Sequence, residues 1–307
     1  MSSLDNASHS STSPYNVNDF NLWTALVTPF NQRGRVDYDA LAQLVDDQAA
    51  AGNGILMLGS TGEGLALSLN EQKKIIRYVC QHRPDAPIMV AVGGYNLESQ
   101  LEWIEFCNQM PISAYLLAAP LYAKPGPKGQ EQWFRSLLER SKFPCMIYNV
   151  PSRSGVELCP QALANLTDEA NFWSLKEASG SALQFNEFSN ALPSIAIYSG
   201  DDALLPEFSL LGAKGLVSVC ANAWPKATNL YVKQCLATPQ SMEFNLWKAA
   251  IEPLFSVANP VPVKVLMHQK ELLAHPQLRL PLTHDELSET SELINADSTI
   301  KQWYAQQ

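Results

Sequence analysis

The chain has 307 residues, 46% of them apolar, and a net charge of -9. That length suits an α/β barrel with an appendage, and the acidic balance argues against a nucleic-acid binder, which carries a basic face. No apolar run approaches the length needed to span a membrane. Six cysteines (Cys80, Cys107, Cys145, Cys159, Cys220, Cys235) are scattered without any Cys-x-x-Cys pair. The five histidines (His9, His82, His268, His275, His284) are equally dispersed. Both patterns fit reduced core thiols in a cytoplasmic protein and offer no convergent ligands for a metal.

Residues 1–19 are rich in Ser and Asn, with neither a basic start nor an apolar stretch. They read as a disordered tail and not as a signal peptide. Short apolar runs then alternate with amphipathic stretches. A strand at 22–28 precedes a helix at 38–51, where Leu41, Leu44, Val45 and Ala49 recur at helical spacing. A strand at 54–58 leads to a helix at 70–81, opened by Ser68 as N-cap with Glu71 three residues on, a capping box. Strands at 88–92 and 114–119 precede helices at 97–110 and 129–141. Further strands are expected at 145–148, 172–176, 195–199 and 215–218. Thereafter the pattern is helical only, at 226–237, 241–258, 263–273 and 285–303. Eight strand–helix units predict a (β/α)8 TIM barrel over 20–238, followed by a C-terminal helical unit over 239–307. A doubly wound open sheet would need a glycine-rich turn after its first strand, and Val27-Thr28-Pro29-Phe30 is no such turn.

In a barrel the chemistry collects where the strands end and the βα loops converge. After the second strand, Gly59-Ser60-Thr61-Gly62-Glu63-Gly64 offers glycines that let backbone approach a ligand and hydroxyls and amides that suit a carboxylate. A plain tight turn explains it equally well. After the fourth strand, Tyr122 sits in a proline-rich loop, where packing or an interface is the simpler reading. Tyr148 and Arg153 flank Pro151 after the fifth strand. A guanidinium there matches a substrate carboxylate, with a surface arginine as the plain alternative. Lys176 closes the sixth strand. A desolvated amine there loses its proton easily and can attack a carbonyl, whereas a snorkelling lysine is the bland alternative. Asp201-Asp202 after the seventh strand reads most simply as a helix N-cap.

Together these segments resemble the pyruvate-dependent class I aldolase family of dihydrodipicolinate synthase and N-acetylneuraminate lyase. The matching stretches are Gly59-Ser60-Thr61-Gly62-Glu63, Tyr148-Asn149-Val150-Pro151-Ser152-Arg153-Ser154-Gly155, Leu175-Lys176-Glu177-Ala178-Ser179-Gly180, Ser199-Gly200-Asp201-Asp202 and Asn259-Pro260-Val261-Pro262-Val263-Lys264. The resemblance implies a Schiff base between Lys176 and pyruvate, with Thr61 and the Ser60–Thr61 amides on the pyruvate carboxylate. It implies a proton relay through Tyr148, Ser60 and Tyr122, the last reaching in from a neighbouring subunit of a homodimer or homotetramer. Gly200 and the Val217 backbone are expected near the lysine. Arg153 marks the branch that condenses pyruvate with aspartate semialdehyde, and sialic acid lyases usually lack it. A different aldolase of the family, or a non-catalytic keto-acid-binding barrel, are the alternatives. The chemistry implied needs no metal or organic cofactor. Leu121 stands where a tyrosine is common. Leu69 and Gln72 replace histidines, and Gln100 replaces a glutamate, at positions matching the lysine feedback site of sensitive members, while Asn96 is retained. Weak or absent inhibition by L-lysine is the expectation.

Overall fold

The structure is a computed structural model describing residues 14–240 and 243–307. Eight parallel strands close into a barrel in sequence order. They are β1 (Leu22–Ala25), β2 (Gly54–Met57), β3 (Ile88–Val92), β4 (Ala114–Ala118), β5 (Cys145–Asn149), β6 (Phe172–Glu177), β7 (Ala196–Ser199) and β8 (Gly215–Ser218). The barrel helices are α1 (Tyr38–Ala50), α2 (Leu69–His82), α3 (Leu97–Cys107), α4 (Pro127–Arg140), α5 (Pro151–Ser154), α6 (Pro160–Ala164), α7 (Ala182–Ala191), α8 (Leu205–Leu210) and α9 (Pro225–Ala237). Beyond them come α10 (Glu243–Ile251), α11 (Val261–Gln269) and α12 (Ser291–Ala305). The expected barrel is thus present. The Ser68–Glu71 capping box opens α2, with side chain and backbone bonded in both directions.

The strands are buried on both faces, as parallel strands under helices must be. The outer apolar faces pack on the helices, while Trp23, Leu56, Met89, Leu116, Met146, Tyr198 and Val217 fill the interior. Interior volume is shared between neighbours. Gly54 pairs with Trp23, and a Cβ at Gly54 would lie 2.6 Å from the Trp23 ring.

The entrance to the strands is sealed by aromatic packing. Trp173 lies between Trp23 and Tyr198, with ring centroids 5.9 and 5.5 Å away, and Phe20 covers Trp23 at 6.0 Å. This corrects the expectation for the tail. Residues 1–13 lie outside the described ones, but Val17–Asp19 form a 3-10 turn with Val17 buried. Tyr15 donates to Asp85 Oδ1 at 2.8 Å, and Trp173 Nε1 donates to Asn18 Oδ1 at 2.8 Å. The apolar side chains of Val17 and Phe20, set among polar neighbours, gain enough burial to order this stretch.

Other boundaries moved for identifiable reasons. The strand expected at 54–58 stops at Met57 because Leu58 takes a left-handed φ of 60°. The helix expected at 241–258 ends at Ile251 and continues as a 3-10 turn, Glu252–Phe255, where Pro253 removes an amide donor. Residues 241 and 242 of that expected helix lie outside the described residues. The C-terminal helices dock on α9 through aromatic side chains. Tyr231 stacks on Trp247 at 4.3 Å, and Trp247 meets Trp303 edge-on at 4.9 Å. Among the described residues no helix is long and apolar enough to cross a membrane.

Candidate active site

Lys176 pairs in register with Tyr148 on β5 and with Tyr198 on β7. Its side chain points into the barrel mouth and is only 5% exposed. The Nζ lies 4.2 Å from the centre of the Tyr148 ring. Among the described residues it forms no ion pair within 4.0 Å. Burial pulls its pKa down to about 7, with Asp202 acting against the shift and Arg153 adding to it. A substantial fraction of this amine is therefore neutral near pH 7, and its lone pair is available. Gly200 is beside it as expected, and for a steric reason: a Cβ there would sit 2.8 Å from Lys176 Cε and 2.6 Å from Ala178 Cβ.

Tyr148 is also buried, which pushes its phenol up to about 12 while the Arg153 charge and the nearby Ser60 hydroxyl oppose the rise. The phenol therefore stays protonated, and it lines one cavity with Ser60. Ser60 sits at the tip of a loop wound tightly on itself, with Leu58 and Glu63 both in the left-handed region at φ 60° and 54°. Two glycines permit that winding. A Cβ at Gly64 would lie 2.0 Å from Leu58 O, and one at Gly62 would lie 2.9 Å from Leu26 O. Gly62 and Gly64 thus serve the tight-turn reading, while Gly59 and Gly64 also line the cavity described below. Among the described residues, neither the Ser60 nor the Thr61 amide donates to another backbone group. Two adjacent free N–H groups at a strand end suit a carboxylate.

Arg153, on the short α5, lines a cavity of about 560 Å³ together with Ser60, Leu121, Tyr148 and Gln100. Its Nη2 donates to Asn259 O at 3.2 Å. Thr61 is buried, and its Oγ1 accepts from Asn259 Nδ2 at 2.9 Å. Val217 lines the inner wall on β8, paired with Trp23. Tyr122, expected to join Tyr148 and Ser60, does not line their cavity. It is 89% exposed with φ 68°, a left-handed conformation unfavourable for an aromatic residue.

Some of the site was not legible in the separate motifs. Asp202, read as a cap, is buried and accepts from the Val219 amide at 2.9 Å and from the Ser218 hydroxyl. Its charge opposes the lowering of the Lys176 pKa, and burial raises its own. Asp201 does not cap either: it accepts from Ala203 N at 2.9 Å in a tight turn, and α8 begins only at Leu205 with no side-chain cap. Glu177 is wholly buried and bonded to Asn149 Nδ2 at 2.8 Å and to the Ser179 amide at 2.7 Å, which fixes the strand end carrying Lys176. Lys264 and Glu63 form a buried ion pair at 2.7 Å. Their motifs had been noted, but nothing in the spacing shows that residues 201 positions apart meet. Among the described residues no group of three or more His, Cys, Asp or Glu side chains is arranged to hold a metal.

A model of the Dihydrodipicolinate synthetase family matches residues 19–301. The chain is 45% identical to the 4-hydroxy-tetrahydrodipicolinate synthase of Francisella tularensis subsp. novicida, over 92% of this chain and 97% of that protein. It is 41% identical to the enzyme of the same name from Wolbachia pipientis subsp. Culex pipiens, over 92% and 96%. Among solved structures, the dihydrodipicolinate synthase of Acinetobacter baumannii, complexed with pyruvate, superposes with a TM-score of 0.86 at 31% identity, covering 92% of this chain and 99% of that one. The fold, the lysine at the barrel mouth and these likenesses agree: the chain belongs to the dihydrodipicolinate synthetase family.

Proposed function

We propose that this protein is a 4-hydroxy-tetrahydrodipicolinate synthase, condensing pyruvate with L-aspartate-4-semialdehyde in the diaminopimelate and lysine pathway. The observation that carries the reading is Lys176: a buried amine, pulled down to about 7, over the Tyr148 ring and without an ion-pair partner. Its lone pair attacks the pyruvate carbonyl, and loss of water leaves a protonated imine. Thr61 and the free Ser60 and Thr61 amides hold the pyruvate carboxylate. Tyr148, through Ser60, delivers and collects the protons of carbinolamine formation and dehydration. The imine draws electrons from the methyl group, which loses a proton to give an enamine. The enamine carbon attacks the aldehyde carbon, whose oxygen takes up a proton and becomes the hydroxyl. The semialdehyde's amine then adds to the imine carbon, closes the ring and expels Lys176. Arg153, at the rim of the same cavity, binds the carboxylate of the semialdehyde through its planar fork. That residue favours this acceptor over a sugar-derived aldehyde.

The exposed Tyr122, with Leu65, Leu69 and Tyr95 also exposed, supports self-association in which Tyr122 completes the relay of a neighbouring subunit. The six free cysteines, five of them buried, fit a reducing cytoplasm. Borohydride reduction in the presence of pyruvate tests the reading. A reduced pyruvate adduct is expected on Lys176, and its absence would sink the imine mechanism. A coupled assay with aspartate semialdehyde then tests the acceptor, and turnover confined to another aldehyde would overturn that choice.

A further inference from the structure

The loop carrying Thr61 and the turn carrying Arg153 are bridged by one residue from outside the barrel strands. Asn259 precedes α11. Its side-chain Nδ2 donates to Thr61 Oγ1 at 2.9 Å, and its main-chain carbonyl accepts from Arg153 Nη2 at 3.2 Å. The other end of the side chain is anomalous. Asn259 Oδ1 is buried and has no hydrogen-bond partner. An orphaned buried acceptor destabilises a fold, and leucine would fill a similar volume without one. Stability alone therefore does not explain an asparagine here. Its contact with Thr61 does. Because the amide donates to Oγ1, the Thr61 hydroxyl hydrogen turns away from Asn259 and can donate to a ligand held by the neighbouring amides. Lys264, later in the same segment, fixes the loop a second time through Glu63 at 2.7 Å.

We propose that Asn259 is a positioning residue joining the two substrate sites. Its side chain orients the Thr61 hydroxyl toward the pyruvate carboxylate, and its main chain steadies Arg153 for the semialdehyde carboxylate. This rests on the imine reading of Lys176. The division between side chain and main chain makes it testable, because substitution removes the first contact and keeps the second.

The experiment is steady-state kinetics with both substrates on the wild type, Asn259→Leu, Asn259→Asp, Thr61→Val and the Asn259→Leu/Thr61→Val double variant. Thermal unfolding and borohydride trapping accompany it. For Asn259→Leu the KM for pyruvate rises about tenfold, the KM for semialdehyde and kcat stay within about threefold, and the adduct still forms at saturating pyruvate. Asn259→Asp, which only accepts, draws the Thr61 hydrogen inward and raises the pyruvate KM further. The double variant is no worse than Thr61→Val, since the two residues act as one unit. An unchanged pyruvate KM in Asn259→Leu, or a wild-type KM in Asn259→Asp, overturns the proposal. So does a parallel rise of both KM values with a fall in kcat and melting temperature, which marks a merely structural role. Should Asn259→Leu not fold, Thr61→Val must by itself show the selective pyruvate effect, and an unchanged KM there overturns the proposal. A wild type that traps no pyruvate overturns the imine reading and this inference with it. A wild type that traps normally, with no KM split in the variants, overturns this inference alone.

Discussion

Two lysines are buried among the described residues, and they meet opposite fates. Lys176 stands at the barrel mouth and Lys264 where the C-terminal helices grip the loop after β2. Each amine lies 4.2 Å from the centre of an aromatic ring, Tyr148 for the first and Phe30 for the second. Burial lowers both, to about 7 and about 8. Lys264, however, has Glu63 at 2.7 Å and the Thr28 carbonyl at 2.8 Å, so its charge is neutralised and hydrogen-bonded in place. Lys176 has neither contact. Desolvation alone does not suit an amine to nucleophilic attack; desolvation without a bonded carboxylate does, and that is the setting of Lys176.

The same substitution at both sites separates the two roles. Lys176→Met removes the imine-forming amine and keeps the stem, so activity falls on the order of 10⁴-fold or more and no pyruvate adduct is trapped. Its stability holds or rises, because no partner is stranded. Lys264→Met leaves Glu63 buried beside only the Arg279 amide, at 2.7 Å, and costs about 3 kcal/mol in denaturant unfolding. Equal destabilisation by the two variants would break the comparison.

The pH dependence sharpens it. Below its pKa of about 7, Lys176 carries a proton and cannot attack. The rate of imine formation with pyruvate alone should therefore climb about tenfold per pH unit and level off above that value. Arg153 holds the Lys176 pKa down, so Arg153→Ala must move this limb to higher pH. A limb that stays put or moves lower would show that Arg153 does not act on the amine.

The smallest effect expected concerns free L-lysine. Gln72 uses its amide on the Gly64 and Leu67 carbonyls, at 2.8 and 3.0 Å, and Leu69 is half exposed. Gln100, on the cavity wall, offers no charge to an incoming ammonium. Millimolar L-lysine should leave activity within about twofold, and strong inhibition at sub-millimolar concentration would overturn this.

Much of this was legible in the residues themselves. The apolar runs separated by amphipathic segments announced a closed parallel barrel. The strand-end motifs placed Lys176, Tyr148, Ser60 and Arg153 on one face, because in a barrel every strand delivers its last residues to the same mouth. Asp202 was misjudged for want of depth: an Asp-Asp pair before a helix looks like a cap, and only packing shows that Asp201 closes a turn short of α8 while Asp202 is buried. The glycines of the 59–64 loop pointed to a turn, but which backbone atoms they accommodate depends on strands folded around them.

The sequence by itself determined the fold class and singled out Lys176 as the candidate nucleophile, since periodicity and local motif are properties of neighbouring residues. Tertiary structure decided which lysine is free and which is paired. It also decided that Asn259 reaches both Thr61 and Arg153, across 198 and 106 residues. Burial and charge pairing are set by contacts between distant segments, and no local spacing encodes them.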